Sequence, residues 1–370
     1  MHESTDIVVV GGGAVGLAIA RDLAQRGLEV VVLEQHESIG QETSSRNSGV
    51  IHSGIYYPHD SLKAQLCVRG REMLYRYCAE RHITHSRVGK IIVAQREQTD
   101  ALRTLYERGE RNGVADLRVL SADEVIECEP LIRCAAGIWV PSAGIFDVHE
   151  FMLSLWADLE RAGGIVSFRS RASAAHIEDE SFSIEVHCEG SVFELRSRWL
   201  INAAGLHAPN FLLCIEGYPP SLRKQGYYAK GSYFQLKGRG SFNHLIYPMP
   251  DEAGLGIHAT IDLDGSVRFG PDVEWVTETN YDVSAARKEH FYEAIRRYWP
   301  SIPEDSLSPA YAGIRPKLVG PHQKSADFII EYPSEHGVSG LINLLGIESP
   351  GLTASLAIAA SIGDYVAARA

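Results

Sequence analysis

The stretch that decides the fold of this chain is residues 6–34, DIVVVGGGAVGLAIARDLAQRGLEVVVLE. A short run of β-branched residues leads into the glycine-rich segment 11–16, and apolar residues then recur at helical spacing until Gly27. A second β-branched run, 30–33, ends in an acidic residue. This order of strand, glycine turn, helix, strand and acid predicts a βαβ unit that binds a dinucleotide.

Each glycine of the turn has a separate physical task. Gly11 permits the tight turn out of the strand, Gly13 lets a pyrophosphate approach the backbone, and Gly16 lets the helix pack closely against the strand. The helix N-terminus directs backbone N–H groups and a partial positive charge at the phosphates. Glu34 lies 23 positions after Gly11, where its carboxylate can accept hydrogen bonds from the ribose. The unit alone does not distinguish FAD from NAD, but we find no second G-x-G-x-x-G sequence after a strand, which indicates one dinucleotide.

Composition narrows the class of protein. The 370 residues suffice for two or three domains of about 150 residues each. The chain carries 35 basic and 47 acidic residues, and its net charge of −12 repels phosphate backbones, so we expect no nucleic-acid partner. The six cysteines form no C-x-x-C pair, so no zinc site is predicted and the thiols are expected to be reduced, as in cytoplasmic proteins.

Two apolar stretches could be mistaken for membrane segments. Residues 7–20 follow acidic residues where a signal peptide needs positive charge, and the βαβ unit explains their apolar character. Residues 341–363 are interrupted by Glu348 and Pro350, which a membrane-spanning helix would exclude. We therefore expect no transmembrane segment and a cytoplasmic location, with peripheral attachment at the inner face of the membrane as the alternative.

Further stretches carry a resemblance to a known family. The first, SSRNSGVIHSGIYYP at 44–58, opens with hydroxyl, amide and glycine residues that suit a loop around phosphate and ribityl oxygens. The chain resembles the FAD-dependent oxidoreductases of the D-amino-acid oxidase and glycerol-3-phosphate dehydrogenase superfamily. The segments SGVIHSGIYYP and GIESPGLTAS are the most specific, and within the superfamily the chain is most similar to the L-2-hydroxyglutarate dehydrogenases and oxidases. The other matching stretches, in the family's order, are 61–70, 202–208, 247–260, 264–272, 312–316 and 346–359.

The resemblance implies an α/β fold: a Rossmann-type, GR2-like FAD-binding domain interleaved with an α+β substrate domain built on an antiparallel sheet. The FAD-binding domain is expected at 1–75, 146–210 and 311–370, and the substrate domain at 76–145 and 211–310. Local patterns predict strands at 90–94, 165–168, 183–186 and 199–202 and helices at 98–112, 151–162, 292–299 and 352–360.

The implied cofactor is FAD. Non-covalent binding is favoured, because no cysteine follows Cys214 to form a covalent link, although a histidyl link stays open. The N-terminus of the helix at 352–360 would lie under the flavin and stabilise negative charge on the reduced ring. The expected FAD contacts are Gly11, Gly13, Ala14, Val15, Gly16, Glu34, Gln35, Ser44, Ser45, Arg46, Asn47, Gly49, His52, Ala172, Ala203, Ala204, Gly205, Gly313, Arg315, Ser349, Pro350, Gly351, Leu352 and Thr353.

Flavin oxidation of a 2-hydroxy acid needs an anchored carboxylate, an aligned C2 hydrogen and removal of the hydroxyl proton. Arg315 matches the arginine of the superfamily's G-x-R-P sequence, whose planar guanidinium can hold a carboxylate by two hydrogen bonds. His52 and His258 compete for the role of general base. Further substrate contacts are expected from Tyr56, Tyr57, Tyr247 and Lys230.

The resemblance therefore implies an enzyme that oxidises a small anionic 2-hydroxy acid, with L-2-hydroxyglutarate favoured, to the 2-oxo acid by hydride transfer to flavin N5. One alternative is an amine oxidase of the D-amino-acid or glycine type, or a glycerol-3-phosphate dehydrogenase-like enzyme, of the same fold. A second alternative is a non-catalytic redox sensor that binds flavin. With no site for NAD(P)H, the electrons would pass to oxygen, a quinone or an electron-transfer protein.

Overall fold

The computed structural model describes residues 3–178, 180–238, 242–250, 256–323 and 326–369. The middle of the matching stretch 247–260 lies outside these residues. The helices are α1 (Ala14–Gln25), α2 (Leu62–Glu80), α3 (Thr99–Arg111), α4 (Ala122–Cys128), α5 (Val148–Arg161), α6 (Ala208–Leu212), α7 (Lys288–Arg296), α8 (Pro333–His336) and α9 (Gly351–Ala367).

The strands alternate with these helices along the chain. They are β1 (Glu3–Val10), β2 (Val30–Leu33), β3 (Val50–Ile51), β4 (His85–Ser86), β5 (Lys90–Ala94), β6 (Arg118–Ser121), β7 (Ala136–Val140), β8 (Gly144–Phe146), β9 (Ile165–Ser167), β10 (Ser170–Glu178), β11 (Ser181–Cys188), β12 (Ser191–Asn202), β13 (Tyr227–Leu236), β14 (Leu245–Pro248), β15 (His258–Ile261), β16 (Val267–Gly270), β17 (Glu274–Val276), β18 (Leu307–Lys317), β19 (Ile329–Glu331) and β20 (Leu341–Leu345).

The chain forms two compact units. The first comprises residues 1–45, 148–228 and 315–370, and the second comprises 46–147 and 229–314. The described part of the chain contains no helix with the length and apolar character needed to cross a bilayer.

The first unit is built on a sheet with the order β10-β11-β12-β1-β2-β9, to which β20 is added beside β12 and β19 beside β20. The central strand β1 runs parallel to both β12 and β2, and its residues 7–10 are all buried. Helices α9 and α5 pack against α1. A parallel sheet whose strands are apolar on both faces is typical of a doubly wound α/β unit, so the predicted βαβ unit is confirmed.

The second unit contains a nine-stranded sheet in the order β17-β13-β16-β15-β14-β5-β7-β6, with β18 beside β13. Its pairs are antiparallel at the β13–β16, β15–β16, β14–β15, β5–β7 and β6–β7 ladders, and parallel at β14–β5. One apolar cluster includes Ile91 and Phe269, and another includes Ile92 and Tyr247. The predicted turn at 262–265 connects β15 to β16, with the backbone N–H of Gly265 donating to the carbonyl of Asp262.

The unit boundaries differ from the expected ones at two places. Residues 46–75 belong to the second unit, because β3 pairs with β8 and Arg71 of α2 donates to Oγ of Ser142 at 3.0 Å. Residues 211–228 belong to the first unit, because Phe211, Ile215 and Tyr218 join the apolar cluster around β12. The two remaining boundaries fall at 147 and 314, within four residues of the expected 145 and 310.

Most predicted elements form, with shifted ends. The strand at 90–94 is β5, and the helix expected at 98–112 is α3. The helix expected at 292–299 instead starts at Lys288 and ends at Arg296, because its first turn is too polar to register in the apolar pattern. Tyr298 and Trp299, which follow it, are buried in the apolar core of the second unit.

Candidate active site

The turn from β1 into α1 is built from glycines whose places no larger residue could take without a shift. Gly11 has a φ of +110°, and a Cβ there would lie 2.6 Å from the backbone oxygen of Ala203. A Cβ on Gly16 would overlap the backbone oxygen of Gly11, so this glycine allows α1 to pack against the turn. A Cβ on Gly13 would lie 2.9 Å from Oγ of Ser44. The backbone therefore forms a close-packed cradle.

The carboxylate of Glu34 lies at the carboxyl end of β2 and is only 6% exposed. Its Oε2 accepts a hydrogen bond from the backbone N–H of Gly12 at 2.8 Å, and its Oε1 accepts one from the N–H of His36 at 2.9 Å. An ionised carboxylate has about four acceptor positions, so these two bonds leave capacity for ribose hydroxyls. The neighbouring Gln35 is exposed, and its amide lies 3.5 Å from Oε1 of Glu42.

The N-terminus of α1 suits an anion. The N–H of Ala14 donates to Oγ of Ser44 at 3.0 Å, and Ser44 lies with Ser45 in a short 3₁₀ turn. The first turn of α1, which includes Val15, has no acidic side chain, and Gly13 supplies no side-chain cap. The positive end of the helix dipole is therefore not neutralised within its first turn. Together with Glu34, these features fit the pyrophosphate and ribose of a dinucleotide.

Helix α9 presents a second N-terminus with the same character. It starts at Gly351, Pro350 supplies no side-chain cap, and its first turn, with Leu352 and Thr353, contains no acidic side chain. The preceding Glu348 is 9% exposed, and its carboxylate pairs with Nζ of Lys317 at 2.8 Å. A lysine thus neutralises the acid nearest to this helix start.

The remaining predicted cofactor residues of the first unit lie near the turn. The N–H of Ala203 donates to the carbonyl of Val10 at 3.0 Å, which keeps the segment 203–205 beside the end of β1. Ala204 precedes the 3₁₀ turn that Gly205 begins with a φ of +55°. Ala172 lies in β10, two residues after Ser170, whose N–H donates to the carbonyl of Glu34 at 2.8 Å.

The loop at 46–49 belongs to the second unit. A Cβ on Gly313 would overlap the backbone oxygen of Arg46, so β18 approaches this loop at backbone distance. Oδ1 of Asn47 accepts from the N–H of Gly49 at 2.8 Å, and the carbonyl of Asn47 accepts from Oη of Tyr311 at 2.5 Å. These bonds hold the loop in one shape.

Five side chains of the second unit form one cluster: His52, Tyr56, Lys90, Tyr247 and His258. The β14–β15 register pairs Ile246 with Ala259, which places Tyr247 opposite His258, and the two rings stack with centroids 3.6 Å apart. The Tyr56 ring stacks on Tyr247 at 6.4 Å. Lys90 of β5 pairs with Leu245 of β14, and its Nζ lies 4.5 Å from the Tyr247 centroid and 5.0 Å from the Tyr56 centroid.

Burial and the lysine determine the protonation of this cluster. Burial lowers the pKa of the Lys90 ammonium to about 8, so most of it stays charged at neutral pH. Burial, followed by the charges of Lys90 and His258, lowers the pKa of His52 to about 3. Burial also raises the pKa of the Tyr56 and Tyr247 phenols. At neutral pH the cluster therefore contains a cationic lysine beside an uncharged imidazole.

Of the side chains predicted to contact substrate or remove its proton, the structure brings together His52, His258, Tyr56 and Tyr247. Tyr57 lies in the same loop as Tyr56, and its carbonyl accepts from Nδ2 of Asn112 at 2.9 Å. Lys230 is buried in β13. Because side chains alternate along a strand, it lies on the same face of β13 as Phe234 and on the opposite face from Tyr233. Arg315 is half-buried in β18.

Sequence reasoning missed Lys90, which was assigned only to a short strand. The available signal was a lysine that opens an apolar strand, KIIVA, in which every residue is buried. An ionisable side chain within such a strand is rarely buried unless it has a partner or a function.

Comparisons with known proteins agree with this geometry. The family model described as DAO, FAD dependent oxidoreductase, matches residues 6–365. The mitochondrial L-2-hydroxyglutarate dehydrogenase of Arabidopsis thaliana is 43% identical, over 98% of this chain and 83% of that protein. The human protein of the same name is 31% identical, over 99% of this chain and 89% of its own length.

Two solved structures share the fold. The L-alpha-glycerophosphate oxidase of Mycoplasma pneumoniae with FAD bound superposes with a TM-score of 0.86 at 24% identity, covering 97% of this chain and 93% of that one. The glycine oxidase of Geobacillus kaustophilus superposes with a TM-score of 0.82 at 19% identity, covering 100% and 96%. With a dinucleotide cradle in place and a family match along nearly the whole sequence, this chain belongs to the DAO family of FAD-dependent oxidoreductases.

Proposed function

We propose that this enzyme oxidises a small 2-hydroxy acid, in the first place L-2-hydroxyglutarate, to the corresponding 2-oxo acid. The observation that carries the proposal is the 43% identity, over 98% of the chain, to a protein named L-2-hydroxyglutarate dehydrogenase. The cluster in the second unit supports it, because a neutral imidazole can accept a hydroxyl proton and a cation can attract a carboxylate.

FAD, when bound, supplies the acceptor for the hydride. The chain's own task at the reacting carbon is to hold the hydroxyl and take its proton while the C2 hydrogen leaves with its electron pair. His52 is uncharged at neutral pH and so has a lone pair for the hydroxyl hydrogen. His258, stacked on Tyr247, is the second candidate for this role. An anionic substrate beside either ring would raise its affinity for the proton.

Arg315 is assigned to anchor the C1 carboxylate, on the strength of the sequence Gly313-Ile314-Arg315-Pro316. Tyr56, Tyr57 and Tyr247 are assigned to hydrogen-bond the rest of the substrate, and Lys230 remains a predicted contact. The segments around Gly11, Ser44 and Gly351 are assigned to hold FAD without a covalent bond. A cytoplasmic location and an absence of nucleic-acid partners belong to the same proposal, on cysteine spacing and net charge.

The test is anaerobic bleaching of the visible flavin absorbance of the purified holoenzyme. Rapid bleaching by L-2-hydroxyglutarate, with none by the D enantiomer, amino acids or glycerol 3-phosphate, is the expected result. Bleaching by an amino acid or by glycerol 3-phosphate alone would assign the enzyme to a different donor and refute the proposal.

Two variants then test the carboxylate anchor. Arg315→Ala should raise the substrate KM strongly while FAD stays bound, and Arg315→Lys should recover only part of the loss because an ammonium cannot form the two parallel hydrogen bonds. Release of FAD from Arg315→Ala would contradict the assignment.

A further inference from the structure

Among the residues that the structure describes, the buried ammonium of Lys90 has no counterion. Its side chain is 0% exposed, and within the described part of the chain its Nζ makes no hydrogen bond. The hydroxyl of Tyr56, in the same cluster, is also buried without a hydrogen bond among the described residues. Two buried polar groups of one cluster without a hydrogen bond to any described residue depart from the rule that buried polar groups are hydrogen-bonded.

The described residues around Lys90 do not compensate its charge. The faces of Tyr247 and Tyr56 offset part of the cost of burying an ammonium, but neither ring carries a negative charge. The thiol of Cys67 opposes part of the lowering of the Lys90 pKa by burial. Burial raises that thiol's own pKa to about 12, so the thiol stays neutral and supplies no negative charge. An anion that completes this site must therefore come from outside the described residues.

We propose that the ammonium of Lys90 and the hydroxyl of Tyr56 bind a carboxylate of the substrate, and that this site selects 2-hydroxy acids with a second carboxylate. The inference rests on the proposed function, which supplies the class of substrate. His52 and Tyr56 of this cluster are only half-buried, whereas Lys90 is fully buried. A carboxylate bound there would be held within the same cluster as the candidate base.

Other cations of this unit are less suited to the role. The guanidinium of Arg268 pairs with Asp262 and donates to Oη of Tyr311 at 2.8 Å, so its charge is already compensated. Lys230 lies on the same face of β13 as Phe234, whose ring packs with Phe291 in the apolar core. Lys90 combines complete burial and a charge, with no acidic partner in the described part of the chain.

The first experiment compares L-2-hydroxyglutarate with L-2-hydroxyvalerate, which has the same chain length and one carboxylate. In Lys90→Met holoenzyme, kcat/KM for the dicarboxylate should fall by about 100-fold, as expected for the loss of a buried charge-assisted hydrogen bond, and kcat/KM for the monocarboxylate should not fall. Tyr56→Phe should show the same selectivity at about tenfold. Lys237→Met, at an exposed lysine that bonds the carbonyl of Asp305, is the matched control.

Equal losses for both substrates would overturn the inference, because Lys90 would then support the fold or the base and not select a carboxylate. Failure of the unsubstituted enzyme to oxidise either acid would refute the proposed function instead. Binding of glutarate and valerate to the holoenzyme, measured by calorimetry, tests the carboxylate site even in that case and even if Lys90→Met does not fold.

The binding experiment has a pH signature. Glutarate affinity should fall about tenfold per pH unit above about pH 8 as the ammonium loses its proton, while valerate affinity should not. Among the described residues, Lys90 interacts with His52, Cys67, Tyr56 and Tyr247: the first titrates far below this range, and burial raises the pKa of the other three. In His258→Gln, which removes the imidazole stacked on Tyr247, the slope must persist. A flat glutarate profile, or one shared by valerate, would overturn the inference.

Discussion

Replacing Gly11 by alanine tests the nucleotide cradle most directly. An alanine at a φ of +110° costs about 1–2 kcal/mol in backbone strain. Its Cβ would also lie 2.6 Å from the backbone oxygen and 3.0 Å from the carbonyl carbon of Ala203, and 3.2 Å from Cα of Ala204. All three are backbone atoms, so relief requires separating β1 from the segment after β12, which adds about 1–3 kcal/mol. The expected loss is about 2–5 kcal/mol in the free energy of unfolding.

A matched control exists at Gly27, which follows α1 with a φ of +88° and has no atom within 4 Å of the position of a Cβ. Gly27→Ala should therefore lose only the strain of about 1–2 kcal/mol and keep its FAD affinity. The assay is urea unfolding of both FAD-free variants, together with FAD binding followed by fluorescence. Gly11→Ala should bind FAD at least about tenfold more weakly, since the cradle itself is displaced. Equal losses of stability in the two variants, with unchanged FAD binding, would refute the reasoning from backbone overlap.

Three further predictions concern the first unit. Glu34→Gln should weaken FAD binding by about tenfold. The carboxylate can accept hydrogen bonds from the N–H groups of residues 12 and 36 and from a ribose together, whereas an amide has only one oxygen to accept them. The fluorescence of released FAD measures the loss of affinity. Asp158→Asn removes the charge of a 2% exposed carboxylate that has two arginine partners, and it should lower the free energy of unfolding by about 3 kcal/mol in urea titrations. Asp22→Asn changes a more exposed ion pair and should lower it by less than about 1 kcal/mol. The hydrogen bond to Glu42 raises the pKa of His207 above its ordinary 6.5, so the stability that depends on the charged imidazole is complete below about pH 6.5 and is lost as pH rises through the folded-state pKa; the thermal midpoint should show this alkaline loss, and His207→Gln should reduce it.

The βαβ unit could be predicted closely because its signals act over a short stretch of chain. The strand expected at 30–33 is β2, residue for residue, and the helix expected to stop before Gly27 ends at Gln25. Turn geometry at Gly11 depends on one residue's conformational freedom, and the helix depends on apolar residues three and four positions apart. Such interactions are visible in the sequence without knowledge of its long-range pairing.

The cluster in the second unit could be predicted only in part. His52 and Tyr56 come from one loop, whereas Lys90, Tyr247 and His258 come from three strands, of which β5 and β14 pair across more than 150 residues. Family resemblance indicated the histidines and tyrosines but not Lys90, because the register that places β5 beside β14 has no local signal. The same lack of local signal explains the boundary expected at 75, since the pairing of β3 with β8 assigns residues after 45 to the second unit.

The positive charge of Lys90 disfavours a protonated His52, and the low proton affinity of His52 fits a base that works only when substrate is present. In the free cluster the ammonium helps to lower the pKa of His52 to about 3, so the imidazole attracts protons poorly. A carboxylate bound to Lys90 would neutralise this charge and bring a negative charge near the ring, and both effects raise the imidazole's affinity for a proton. The group that recognises a second carboxylate would thereby increase the strength of the base when a hydroxyl proton is there to be accepted. A monocarboxylic substrate leaves the ammonium uncompensated, so selectivity against it should appear in kcat as well as in KM.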